Sequence, residues 1–285
     1  MNHPALDPVY FSSEPWGVRV QNWLAGKDES FLEGNHRLVR QIMENEESGL
    51  RMVMNISAEA LLSFLAAHRY YNLYENPVIG GARREPSEER RRVDELLAFD
   101  RDPSNFYFGA VALGGTGVRF YGEYCMAMKP DRVHSGTRIF DRDSYDLLLS
   151  PLKDEEDVTA LAKKLAGHWK PDVFDMLTLK LLPELRGANR LITTGTVSEM
   201  ILHDQEFVEV HREGSIYPWE IEEVRQSPDE IAMEARIQAR GNAGIPPTAV
   251  ELRWLQQRQE VVNALERDGI RYRVVTLHGR GYQWR

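Results

Sequence analysis

Cysteine is almost missing from this chain: Cys125 is the only one in 285 residues. One thiol closes no intrachain disulfide and builds no cysteine-rich zinc site. Its surroundings, Tyr124-Cys125-Met126-Ala127-Met128, are apolar, so an inert core thiol is expected. Long hydrophobic runs are missing too. No stretch approaches the roughly 18 apolar residues of a spanning helix, and MNHPALDPVYFSSEPW has neither a basic segment nor an apolar one behind it. Neither a membrane span nor secretion by the general route is expected, which leaves a cytoplasmic location. Positive charge is short as well. The formal net charge of -9 argues against a surface that grips duplex DNA everywhere by neutralising phosphates. Local basic clusters survive, the densest being Arg83, Arg84, Arg90, Arg91 and Arg92.

Several chemistry-bearing motifs are also lacking. There is no G-x-x-x-x-G-K-[ST] phosphate loop and no G-x-G-x-x-G between a strand and a helix. Gly114-Gly115-Thr116-Gly117 lies between two strand-like runs and reads as a hairpin turn. The eight histidines show no H-E-x-x-H or comparable metal spacing, and no G-x-S-x-G turn presents a serine nucleophile. A metal site is not expected.

What remains is a chain with 42% hydrophobic and 28% charged residues, a balance that suits a folded protein with a substantial core. Residues 1 to 26 read as an irregular arm with Tyr10, Phe11, Trp16 and Trp23 as anchors, followed by a helix near 28 to 46. Arg51 to Ile56 reads as a buried strand, and Ser57 as the N-cap of a helix running to about Ala67. The stretch from His68 to Gly81 is crowded with aromatics and closed by Pro77 and two glycines, which suits a structured loop facing a ligand. A helix over 85 to 99 follows, its arginine run expected to be a solvated face. Strands are expected over 106 to 113, over 118 to 128 with a bend at Gly122, and over 137 to 140. Helices are expected near 154 to 164, 172 to 182 and 248 to 267, with a strand over 271 to 277.

The most telling segment begins at Phe207-Val208-Glu209-Val210-His211. In an extended chain the valines share one face, and Glu209 and His211 point together to the other. The bland reading is a charged face turned to solvent. Glu206 falls on the opposite face from Glu209.

In order along the chain, these pieces resemble the ADP-ribosyltransferase superfamily, in particular a bacterial branch with toxin-like members. The resemblance is carried by Ser57 to Tyr74 with Arg69-Tyr70-x-Asn72-x-Tyr74-Glu75, by Phe108-Gly109-Ala110, by Arg119-Phe120-Tyr121-Gly122 through Lys129, by Thr137 leading to Asp143-Ser144, and by Val208-Glu209-Val210-His211 with Glu220 to Val224 behind it. It spans roughly residues 49 to 226. The resemblance implies an α+β fold in which a split, strongly curved β-sheet with flanking helices clamps NAD. Residues 1–48 would form an N-terminal arm and helix, 49–228 the core, and 229–285 a helix-strand extension packed on that core. It also implies Glu209 as the catalytic carboxylate, with Arg51, Asn55, Tyr70, Tyr71, Tyr74 and Ser144 as candidates for holding NAD. Implied partners are a protein or nucleic-acid acceptor and, for a toxin, effector or defence protein, an antitoxin or immunity protein. Two departures stand out. Phe207 occupies the place where arginine-modifying members carry a second Glu or Gln, so arginine is not the expected acceptor. Tyr107-Phe108-Gly109 stands where a serine motif is usual. The alternatives are a module of the same fold that binds without catalysis, and an unrelated α+β interaction protein in which Glu209 is exposed and the tyrosines are core.

Overall fold

The computed structural model describes residues 13–25, 29–45, 49–75, 86–99, 101–144, 155–185, 192–202 and 207–275. Arg83, Arg84 and Glu206 lie outside the described residues. The fold is α+β: an open, mixed eight-stranded sheet with helices flanking it. The strands are β1 (Leu50–Ile56), β2 (Phe106–Leu113), β3 (Tyr124–Met128), β4 (Arg138–Phe140), β5 (Ala166–His168), β6 (Glu209–Glu213), β7 (Ile221–Gln226) and β8 (Arg271–Val274). Their order across the sheet is β5-β4-β6-β2-β1-β3-β7-β8. All neighbours run antiparallel except β7 and β8, which are parallel. The strands hydrogen-bond into one sheet, where the resemblance implied a split one.

The helices are α1 (Trp16–Ala25), α2 (Glu29–Met43), α3 (Ala58–Ala67), α4 (Glu88–Ala98), α5 (Glu155–Leu165), α6 (Trp169–Leu185), α7 (Thr194–Ile201), α8 (Pro228–Asn242) and α9 (Ala249–Arg267). Ser57 caps α3 by accepting from the Ala60 N–H, and Ser87 caps α4 in the same way through Arg90. Where an irregular arm was expected, residues 16–25 are helical and bury Trp16, Val20 and Trp23 at helical spacing. The sequence reading also passed over α8. Ile237 is its one fully buried side chain, so no apolar stripe announces it, and its start is marked only by Ser227 and Pro228.

Strand alternation and register sort the side chains onto two faces. On one face lie Met52, Met54, Val111, Val210, Met126 and Val224. These join Trp16 and Val20 of α1, Leu61, Phe64 and Leu65 of α3, Val173, Met176 and Leu177 of α6, and Val261 and Leu265 of α9 in one large apolar cluster. On the other face stand Val53, Ala110, Phe108, Glu209, His211, Arg138 and Phe140. Here α4 supplies Val93 and Leu97, which cluster with Phe140, Ala162 and Leu165.

The expected hairpin at Gly114 to Gly117 is corrected. β2 and β3 do not pair, because β1 lies between them. The connecting segment therefore passes across the end of β1, where the Asn55 Nδ2 group donates to the Thr116 carbonyl at 2.8 Å and the Gly122 carbonyl at 3.0 Å. Part of the expected strand, residues 119–121, is instead a 3-10 turn within this crossing. Gly117 sits at φ +66°, and a Cβ there would collide with Asn55 Oδ1.

Candidate functional site

Glu209 opens β6 and is 4% exposed. Its register neighbours, Ala110 on β2 and Phe140 on β4, are small and apolar respectively, so neither gives the carboxylate a polar partner. One hydrogen bond and two nearby nitrogens compensate. The Ser144 backbone N–H donates to Oε2 at 2.6 Å, His211 Nε2 stands 3.4 Å from Oε1, and Arg90 Nη2 stands 3.8 Å from it. The His211 nitrogen is at ion-pair distance without hydrogen-bond alignment. Burial alone would push the Glu209 carboxyl upward, but His211, Arg90 and the Ser144 N–H outweigh it and hold the group at about 2. Glu209 is thus an anion at every ordinary pH.

Arg90 is the hub of this cluster. It forks onto Asp94 through Nε at 2.9 Å and Nη2 at 2.8 Å, reaches Ser144 Oγ with Nη1 at 3.3 Å, and lies 4.2 Å over the Phe108 ring. Asp94 in turn accepts from the Tyr74 hydroxyl at 2.7 Å. Burial raises the Asp94 carboxyl despite Arg90 and raises the Tyr74 phenol, so Tyr74 remains a neutral donor. Phe108 meets the His211 imidazole edge-on at 4.8 Å, and Phe140 lies 4.6 Å away. The imidazole is therefore walled by aromatic rings on the same face as the carboxylate.

In front of Glu209 is a cavity of about 340 Å³, within the range of small-molecule sites. Glu209, Arg90, Asn55, Tyr70, Tyr107 and Phe108 line it, with Asn72, Leu73, Tyr121 and Phe207. The loop after α3 reaches it because Asn72 fastens that loop. Its Nδ2 donates to the Ser104 carbonyl at 2.5 Å and the Phe106 carbonyl at 3.2 Å, while its Oδ1 accepts from the Tyr74 and Glu75 N–H groups. Tyr107 adds a hydroxyl bond to Glu75 at 2.8 Å, and the Tyr70 N–H bonds the Ile216 carbonyl. Burial, then the neighbouring Tyr107, pushes the Tyr70 phenol up to about 12.

Of the residues singled out from sequence, Glu209, Asn55 and Tyr70 meet at this cavity. Ser144 is buried behind Glu209, where its backbone holds the carboxylate and its hydroxyl meets Arg90. Tyr74 stands one step back, on Asp94. Tyr71 does not line the cavity; it is 37% exposed with the Arg69 guanidinium over its ring. Arg51 does not reach it either, because its Nε is paired with Glu222 at 2.6 Å. The expected solvated arginine face is half right: Arg91 and Arg92 are exposed, but Arg90 is buried. The missed signal was its helical register, since Arg90, Val93, Asp94 and Leu97 share one face of α4. Cys125 is fully buried and burial pushes its thiol to about 12, as an inert core thiol requires.

Compared with protein-family models, curated proteins and solved structures, the chain matches none. Among the described residues, no helix is long and apolar enough to cross a membrane, and no group of His, Cys, Asp or Glu is placed to hold a metal ion.

Proposed function

We propose that this chain is an NAD-dependent ADP-ribosyltransferase, with a curved sheet of that superfamily's type, which moves ADP-ribose from NAD to a macromolecular acceptor. The observation that carries the reading is a carboxylate held anionic at about 2 in the wall of a largely apolar, tyrosine-bearing cavity. When the bond between nicotinamide and ribose breaks, nicotinamide leaves with the bonding electrons and the ribose acquires oxocarbenium character. A fixed negative charge beside that carbon stabilises it, most strongly where water is excluded. The acceptor's nucleophile then forms the new bond to the ribose and gives up its proton to solvent, while Glu209 stays an anion. Tyr70 offers a ring to an aromatic base, and Arg90 a guanidinium face beside the anion. Such an enzyme suits a toxin, effector or defence protein acting on protein or nucleic acid in the cytoplasm and restrained by an antitoxin or immunity protein.

The test is release of nicotinamide from NAD, with labelled NAD to trace the acceptor. Turnover by the native chain and its loss in Glu209→Gln, with an unchanged fold by circular dichroism, is the expected outcome. A second reading, a module of the same fold that binds without catalysis, is favoured by one observation: Ser144, His211 and Arg90 already surround the Glu209 oxygens. NAD that raises the melting temperature without being consumed would select it.

A further inference from the structure

His211, whose Nε2 stands 3.4 Å from Glu209, lines a second cavity. This cavity has a volume of about 330 Å³, and Arg101, Arg138, His134, Thr137, Glu213 and Phe106 line it with His211. Its charge is lopsided. Two guanidinium groups and two imidazoles face it, and Glu213 is the one carboxylate among the described lining residues. Arg138 is anchored by Nη1, which donates to the Leu97 and Ala98 carbonyls at 2.8 and 2.9 Å at the C-terminal end of α4. Its guanidinium carbon lies 4.7 Å from the centre of the Phe99 ring and 5.8 Å from that of Phe106. The Nε and Nη2 donors are left without hydrogen bonds to the described residues. Burial, and next the nearby charge of Arg101, press the Arg138 pKa downward against the pull of Glu213. Glu213 offsets Arg101 at 2.7 Å, but that pair is half exposed at the mouth. Gly136 and Gly214 leave open space where side chains would intrude.

We propose that this second cavity is a binding site for a phosphate group, held between Arg101 and Arg138 with the Thr137 hydroxyl and the His134 and His211 rings completing the contacts. Two guanidinium groups that repel one another without a ligand are drawn together by a dianion, and a fixed fork of donors suits tetrahedral oxygens. The site stands independently of the NAD reading, because no NAD is needed to fill or to test it.

The test is calorimetric titration of the whole chain at low ionic strength, with inorganic phosphate in one arm and methyl phosphate in the other, against sodium chloride. Saturable binding of phosphate but not chloride is expected. Binding of both phosphates would assign the site to a phosphomonoester, and binding of the free ion alone to inorganic phosphate; either sustains the proposal. Arg101→Ala should weaken binding about tenfold through loss of a charge-assisted contact. Glu213→Gln should tighten it, because it removes the carboxylate that competes for Arg101. Both side chains are half exposed, so both variants are expected to fold. No saturable binding in either arm, an unchanged affinity in Arg101→Ala, or a weaker one in Glu213→Gln would overturn the site.

Discussion

The two faces of the sheet are built from different physics. On the side of Met52, Val111 and Met126, helices from both ends of the chain bury methionine, leucine and phenylalanine in one continuous cluster. On the side of Glu209, the covering helix α4 meets the sheet through a small apolar cluster and a charged one: Arg90, Asp94, Glu209 and His211. The first face is stabilised by removal of area from water and tolerates changes of similar volume. The second depends on each charge having its partner, since an ion left alone inside a protein costs more than the pair contributes. The lesson is that the apolar face holds the sheet, while the charged face selects what sits in front of it.

The largest effect should come from breaking the charged face. Arg90→Ala leaves Asp94 and Glu209 buried without their shared cation and is expected to cost about 3–5 kcal/mol. On the apolar face, Met126→Ala should cost a comparable or smaller amount, about 2–5 kcal/mol, from lost burial and a cavity. Urea midpoints for the two variants measure this, and the comparison has a sharper form. Combining Arg90→Ala with Glu209→Ala should lose less than the sum of the single changes, whereas Arg90→Ala with Met126→Ala should be additive.

Acid should act most strongly on the face of Glu209. The Glu209 carboxyl is lowered in the folded state, so its contribution is complete above about 4.5 and is lost as pH falls toward about 2. A shift of that size corresponds to stability on the order of 3 kcal/mol. Denaturant titrations between pH 5 and pH 2 should show a larger loss in the native chain than in Glu209→Gln, where Glu223 and the other lowered carboxyls still titrate but position 209 does not. The smallest effect belongs to the mouth of the second cavity. Arg101→Ala should change stability by less than about 1 kcal/mol, as half-exposed pairs do, while still weakening phosphate binding.

Much of this was visible in the sequence, and what was not has physical causes. The strand–helix unit at 50–67, the helix over 88–98 and the shared face of Glu209 and His211 follow from periodicity and capping, which are local. The partners of Glu209 are not local. Arg90 and Ser144 stand 119 and 65 residues away along the chain, and only the packing of α4 over β6 brings them to the carboxylate. A run of three arginines looks uniform until the helix is placed against something. Arg51 shows the converse: a cation at the start of a central strand was a candidate for holding NAD, yet its Nε is paired with Glu222. The hairpin misreading has the same origin, since a turn between two strand-like runs does not reveal that a third strand will enter between them.

The fastening of α4 carries one more consequence. Because ion pairs and a small apolar cluster fasten α4, it is expected to open locally more readily than the strands under the large cluster. Backbone amides of α4 would exchange with deuterium through local opening, well before those of β1 and β3 beneath the large cluster. Such an opening would take Arg90 with it and expose Glu209 on the α4 side of the sheet.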